Sequence, residues 1–514
     1  MRPPTQSCAL RSDQTTNDPM RLNDLWHLIA LCVALTFVGC DDSPRPATDA
    51  SDTSAEDVVD AHEEVLDTVA NEELADQPAD LAPDVVTPPV RQWLRDATGG
   101  VLILRGVNLA DASKHAADFL PPPELTDFQR LHDELGFDAV RLLVFWEAVE
   151  PVRGQYDDVY LEAVRTLIEQ AAAAGLWVVV DMHQDVYGRG FGHAGAPEWT
   201  CDAALYATFV PPANWFAGYF TPEVQGCFDA FWASADLRGA FAGSWAAVAA
   251  KLAGTPGLLA YDLLNEPFWG TTNFTEFDQN LLPPFYEEVI DAIRAVDPVT
   301  TIGFEPSPVS NLGWDSALQR PDRPRLLYLP HFYPPEIELG TGYTGDRASL
   351  ADALGRLANK ASRFKVPMVI GELGARRDVG GAAQFLTDTY SLLDEELAGA
   401  LLWDGGQGGD GSYGIWAPDG TPALQAQAVA RPYLARVAGV PTAWTWDPDA
   451  GRFEASWNED GSAQGATEVR LPSLAFPAGA WVSVDEAPPV PWSDSVFSVV
   501  SVGGARTLSA TGEP

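Results

Sequence analysis

From Gly100 to Val437 short apolar runs alternate with stretches in which apolar residues recur every three or four positions. The first pattern suits buried strands and the second amphipathic helices. Strands are predicted at Val101 to Val107, Ala139 to Val144, Trp177 to Asp181, Leu258 to Leu264, Thr300 to Phe304, Leu326 to Pro330, Pro367 to Ile370 and Ala400 to Trp403. Helices are predicted between them, among others at Asp158 to Ala174, Phe285 to Val296, Leu350 to Phe364 and Ala382 to Glu396. Eight strands with helices between them, over roughly 340 residues, favour an α/β fold of the (β/α)8 TIM-barrel type over an open doubly wound sheet.

Two regions break the alternation. After the third strand, Gln184 to Gly239 forms a long insertion with Cys201, Cys227, Trp199, Phe209, Trp215, Phe216, Tyr219 and Phe220. A loop of that length is usually functional or disordered, and its aromatics favour a packed lid or a wall of the substrate site, with a purely structural excursion as the alternative. Beyond Pro441 the pattern becomes short alternating segments separated by Gly, Pro and Asp turns, as in a small antiparallel β-sandwich. The expected division is a barrel over 91–437 and an accessory β domain over 438–514.

The N-terminal segment is read as signal and tether rather than fold. Arg21, the apolar run from Leu25 to Val38 and the small Gly39 before Cys40 make a signal over 1–39, close to a bacterial lipobox with lipidation on Cys40. A start at Met20 would remove an awkwardly long polar leader. The alternatives are a plain secretory signal or a short anchor. Residues 41–90 contain no aromatic residue, one arginine (Arg45) and many acids, a composition expected to remain an unfolded, self-repelling linker. The protein would then sit outside the cytoplasm, anchored to a bacterial membrane in the periplasm or at the cell surface, or be secreted. In that oxidising compartment Cys201 and Cys227 are disulfide candidates, with two buried thiols as the alternative. A formal net charge of −42 disfavours nucleic acid and anionic surfaces as partners, since phosphate binding needs clustered Lys and Arg.

The chemistry lies at strand ends. Tyr261-Asp262-Leu263-Leu264-Asn265-Glu266-Pro267 and Val369-Ile370-Gly371-Glu372 each carry an apolar run to a glutamate, on strands four and seven. Those strands face each other across a barrel mouth, where the carboxyls can approach within about 5 Å, the separation of a retaining glycosidase. Such a pair needs neither metal nor cofactor, and none is expected.

Arg141, His183, Asn265-Glu266, His331-Phe332-Tyr333, Glu372 and Trp403, at successive strand ends, resemble the active-site pattern of glycoside hydrolase family 5 over residues 95–437. The resemblance implies Glu266 as general acid/base and Glu372 as nucleophile. It implies Asn265 on the sugar 2-hydroxyl, Arg141 and Tyr333 keeping Glu372 ionised, His183 and His331 shaping the site, and Trp403 under a sugar face. Taken singly, Arg141 could pair with a barrel carboxylate, His183 could be a core histidine and Trp403 a core residue. The nucleophile is expected to have its pKa lowered and the acid its pKa raised. Within the family, Arg105-Gly106-Val107-Asn108 with Lys114, Asp181-Met182-His183-Gln184-Asp185-Val186-Tyr187 and Asn265-Glu266-Pro267-Phe268 are similar to endoglycoceramidases and glycosylceramidases. That similarity implies Lys114 and Asp185 on sugar hydroxyls, a glycolipid or oligosaccharide as substrate, and hydrolysis of the glycan–ceramide bond. The alternatives are a family 5 endoglucanase or β-glucosidase acting on polysaccharide, glucosylceramide or steryl glucoside, or a lipid-anchored glycan binder without catalysis.

Overall fold

The computed structural model describes residues 91–110, 112–409 and 411–513. The expected signal, Cys40 and the acidic linker lie outside them. Eight parallel strands form the barrel: β1 (Arg105–Leu109), β2 (Ala139–Val144), β3 (Trp177–Met182), β4 (Leu258–Asp262), β5 (Thr301–Phe304), β6 (Leu326–Tyr328, resuming at His331–Phe332), β7 (Val369–Leu373) and β8 (Gly399–Leu402). Neighbours pair in sequence from β1 to the first piece of β6 and from its second piece through β7 and β8 to β1. Pro330, which has no N–H to give a ladder, interrupts β6. A bridge from Tyr328 to Met368 closes the ring across the break.

Alternation along the strands separates two interiors. Ala139, Val179, Ala260, Leu327, Val369 and Leu401 form the small apolar cluster with Leu94 and Leu104. Val140, Leu142, Val178 and Val180 join the large cluster with helices such as Asp158–Ala173, Leu282–Arg294, Arg347–Phe364 and Ala382–Glu395. Further along the same strands the interior positions become Asn108, Arg141, Asp181 and Asp262, all buried. The barrel is therefore apolar at its base and charged toward its mouth.

The C-terminal region packs two antiparallel sheets. One takes the order Val101–Leu102, Tyr433–Val437, Thr467–Arg470, Val496–Val499; the other Val440–Asp447, Arg452–Glu459, Gly504–Thr511, Ala480–Val484, Val490–Trp492. Two segments counted with the barrel in the sequence, Val101–Leu102 and Tyr433–Val437, thus pair with each other and with the accessory sheet. The run predicted as one strand from Val101 to Val107 is divided between the two sheets. Tyr433 donates to the Gly136 carbonyl (3.0 Å), while Ser473 and Leu474 donate through their amides to Asp133 and Glu134. Gly136 and the helix before it (Phe128–Leu135) lead into β2, so this domain attaches at the barrel's N-terminal end, away from the strand ends that carry the acids.

The insertion after β3 is packed and largely helical, with Ala203–Thr208, Pro222–Ala233 and the start of Ala235–Leu252 within it. Cys201 and Cys227 are joined by a disulfide, with Cα atoms 5.3 Å apart, which ties the turn Glu198–Thr200 to Pro222–Ala233. Most of its aromatics are packed against other rings: Phe209 meets Phe191 within the insertion, and Tyr219 stacks on Phe268 beyond it at 4.7 Å. Trp232 Nε1 donates to the Phe268 carbonyl at 2.8 Å. The insertion thereby buttresses the segment that carries Glu266, leaving Val210 and Trp215 as its large exposed apolar residues.

Candidate active site

Arg141 organises the mouth. It lies within β2 rather than at its end, and its long side chain reaches the strand ends from below. Nε donates to Asp262 Oδ2 (2.9 Å); Nη1 donates to Glu372 Oε1 (2.6 Å) and Asn108 Oδ1 (3.0 Å). Nη2 donates to Glu305 Oε1 (2.9 Å) and Asn265 Oδ1 (3.1 Å), and pairs with Asp181 Oδ1 at 3.0 Å. The guanidinium is fully buried. Burial opposes its charge, but Asp181, Asp262, Glu372 and Glu305 outweigh that and hold its pKa well above the ordinary arginine value.

Glu372 is the penultimate residue of β7. Besides Arg141 it accepts from the Tyr333 hydroxyl (3.1 Å). A Cβ on its neighbour Gly371 would stand 3.2 Å from the His331 ring, so the missing side chain makes room for that imidazole. Glu266 follows β4 by four residues and has φ +43°, a region that costs a residue other than glycine about 1–3 kcal/mol and persists where surroundings enforce it. Its backbone N–H donates to Glu305 Oε2 (2.9 Å). Its Oε1 accepts from Asn311 Nδ2 (2.6 Å) and meets His331 Nδ1 at 2.8 Å. His331 Nε2 lies 3.3 Å from Glu305, and its Nδ1 lies 3.7 Å from Glu372. A carboxylate oxygen from each of Glu266 and Glu372 and a His331 nitrogen lie within 4.8 Å of one another.

The electrostatics depart from the expectation for the nucleophile. Burial pushes the Glu372 carboxyl above the ordinary carboxylate range; His331 and Arg141 oppose this and the charge of Glu266 adds to it. Around Arg141 and His331 stand five acids, Asp181, Asp262, Glu266, Glu305 and Glu372, so two cations do not neutralise the cluster. Asp262 is likewise pushed well up by burial and by Glu305. Burial disfavours charge on His331, but Glu305, Glu372 and the bond to Glu266 win and lift it well above the usual imidazole value. Oxygens of Asp181, Asp262 and Glu305 also approach within 4.8 Å of one another, and the cation they surround is the Arg141 guanidinium.

Asp181 links this cluster to a second one. Its Oδ2 holds His183 Nδ1 at 2.7 Å, and His183 Nε2 lies 3.4 Å from Asp185. Asp185 pairs with Lys114 at 2.6 Å, and the Lys114 ammonium sits 4.2 Å over the Trp403 ring. Trp403 in turn stacks on His183. Burial works against ionised Asp185, yet Lys114 and His183 hold its carboxyl far below the ordinary range. Lys114, Arg141, His183, Asp185, Asn265, Glu266, His331, Tyr333, Glu372 and Trp403 thus form one connected set. A fixed carboxylate, an ammonium and a half-exposed indole side by side can bind sugar hydroxyls and a sugar face.

Sequence reasoning missed Asp181, Asp262, Glu305 and Asn311. Glu305 directly follows β5, the same strand-end signal that marked Glu266 and Glu372. Asp181 and Asp262 stood inside predicted strands without being weighed as acids. Asn311 lies in the turn Pro308–Leu312, where no sequence pattern points to it.

A parallel barrel with two facing glutamates at its strand ends is the architecture of a barrel glycoside hydrolase. The chain belongs to glycoside hydrolase family 5: the family model described as cellulase (glycosyl hydrolase family 5) matches residues 96–409, and that of the family 5 C-terminal domain matches 431–501. Endoglycoceramidase I of Rhodococcus hoagii (strain 103S) is 27% identical over 452 residues, covering 82% of this chain and 84% of its own. Endo-glycoceramidase II from Rhodococcus sp., solved as a ganglioside GM3 complex, superposes with TM-score 0.75 at 31% identity, covering 82% of this chain and 99% of its own. The same enzyme solved as a lactosyl-enzyme intermediate superposes with TM-score 0.73 at 31% identity and the same coverage.

Proposed function

We propose that this family 5 hydrolase is a retaining β-glycosidase that releases the glycan of a glycosphingolipid from its ceramide. The observation that carries the mechanism is the approach of Glu266 and Glu372 to within 4.8 Å, as a covalent double displacement requires. Glu372 attacks the anomeric carbon as the bond to the ceramide oxygen breaks, and Glu266 gives that oxygen its proton. Asn311 and His331 both engage Oε1 of Glu266, leaving Oε2 to carry the proton. In the second half Glu266 takes a proton from water, the water oxygen attacks the anomeric carbon, and Glu372 departs as carboxylate. A nucleophile held in a dry site pays for desolvation, and Arg141 and Tyr333 offset that cost by donating to it as charge returns.

Lys114, Asp185, His183 and Trp403 would hold the sugar on the side of β1, β3 and β8. Similarity to endoglycoceramidases over 82% of the chain supports ceramide as the leaving group. We further propose, from the lipobox-like sequence alone, that Cys40 carries a lipid anchor which keeps the enzyme at a membrane. Exposed Val210 and Trp215 would meet the lipid; replacing both with serine should slow hydrolysis of lipid substrate while a soluble glycoside is cleaved as before.

The experiment is incubation of purified residues 91–514 with a glycosphingolipid panel in mild detergent, alongside cello-oligosaccharides and simple β-glucosides, with products identified by mass spectrometry. Intact oligosaccharide plus ceramide is the expected result. Glucose released only from monoglucosylated lipids would move the assignment to glucosylceramide or steryl glucoside, and cleavage confined to polysaccharide would discard the lipid substrate.

A further inference from the structure

The buried carboxylate of Glu305 has no part in the two-glutamate scheme, yet it touches three members of the site. Oε2 accepts the backbone N–H of Glu266 at 2.9 Å. Oε1 accepts from Arg141 Nη2 at 2.9 Å and lies 3.3 Å from His331 Nε2. Glu305 is itself fixed from behind, because the buried Tyr286 hydroxyl donates to its carbonyl at 2.9 Å. It follows β5 directly, and β5 pairs with β4, the strand that leads to Glu266.

Balancing Arg141 does not account for this placement. Asp181, Asp262 and Glu372 already face that guanidinium, and one oxygen of Glu305 is turned from it toward an amide. That amide belongs to a residue at φ +43°, a backbone state that needs an outside partner to hold it. On its other side Glu305 faces the far nitrogen of the imidazole whose near nitrogen meets Glu266 Oε1. A carboxylate behind a histidine fixes how the ring is aimed and favours its protonated form, so that Nδ1 can donate to Glu266 Oε1.

We propose that Glu305 is the positioning residue of the general acid: it clamps the Glu266 backbone directly and its side chain through His331. The inference rests on the assignment of Glu266 as proton donor. Its consequence is selective, because only a leaving group that needs a proton should feel a misplaced acid.

The test compares 2,4-dinitrophenyl β-lactoside, whose leaving group departs unprotonated, with lactosylceramide in detergent micelles. Both are measured as kcat/KM, which reports the glycosylation step. Glu305→Gln keeps the volume and removes the charge; Glu305→Ala removes all three side-chain contacts. For a folded variant, kcat/KM on lactosylceramide should fall about 10²-fold or more while the dinitrophenyl substrate changes less than about threefold. The basic limb of the lactosylceramide pH profile, which reports the proton on the acid, should also move in the variant. Equal losses on both substrates, or no loss on either, would overturn the proposal. If Glu305→Ala does not fold, Glu305→Gln decides alone. Should the wild-type enzyme cleave neither substrate, the glycosidase reading beneath the proposal fails instead.

Discussion

The barrel buries charge at both ends, and the two clusters are built on opposite plans. At the base, Arg105 and Arg431 share the carboxylate of Asp394, at 3.1 and 2.7 Å, and Arg105 also faces the Tyr390 ring. There cations outnumber the acid, and the cluster ties β1, the helix Ala382–Glu395 and the start of the C-terminal domain. At the mouth, acids outnumber cations, and Glu266 keeps 12% of its side chain open to solvent. Charge whose partners all come from the protein holds segments together, whereas charge left short of partners is finished by what binds to it.

The two ends should differ most at Glu372. Glu372→Gln removes the nucleophile but keeps its volume, so kcat/KM should fall by more than ~10³-fold while the melting temperature stays close to that of the wild type. Retention of near-normal turnover would refute the role. At the base the outcome should invert. Asp394→Ala leaves two buried guanidinium groups unpaired and should cost about 3–5 kcal/mol in denaturant unfolding, while kcat/KM of the folded enzyme is unchanged.

Smaller effects should separate the ends by pH. Glu372 attacks only as carboxylate, and burial holds its pKa above 4.5, so kcat/KM should fall with falling pH along an acid limb centred above that of a free glutamate. Near the base, burial raises Asp138 to about 7, against the pull of Arg470 and of the Arg105 N–H. A raised acid keeps its proton longer in the folded state than in the unfolded state. Its stabilising contribution is therefore complete below the ordinary aspartate range and lost as pH rises toward 7. Asp138→Asn, which can still accept the Arg105 N–H, should flatten that slope in chemical denaturation between pH 4 and 8 without moving the kinetic acid limb.

Much of this was readable from residue pattern, for reasons that differ by element. Ala139–Val144 is legible to its ends because it is a short apolar run, broken only by Arg141, that directly follows Gly136-Phe137-Asp138. Glu372 is legible because it closes an apolar run on the strand that faces the one leading to Glu266. What stayed hidden depended on distant partners. Nothing in Val101-Leu102-Ile103-Leu104-Arg105 marks where one sheet hands over to another, because Val101 pairs with Val437, at the far side of the barrel sequence. Arg141 looked like a strand-end residue, and only the folded barrel reveals that a mid-strand arginine reaches the mouth by its length. The reversed shift of Glu372 followed from burial, which residue types alone do not disclose.

The most direct measurement is labelling with a 2-deoxy-2-fluoro β-glycoside bearing a good leaving group, followed by peptide mass spectrometry. Double displacement predicts a stable glycosyl adduct on the peptide containing Glu372, and none in Glu372→Gln. An adduct on another carboxylate, or turnover of glycosphingolipid with no adduct and inversion at the anomeric carbon, would contradict it.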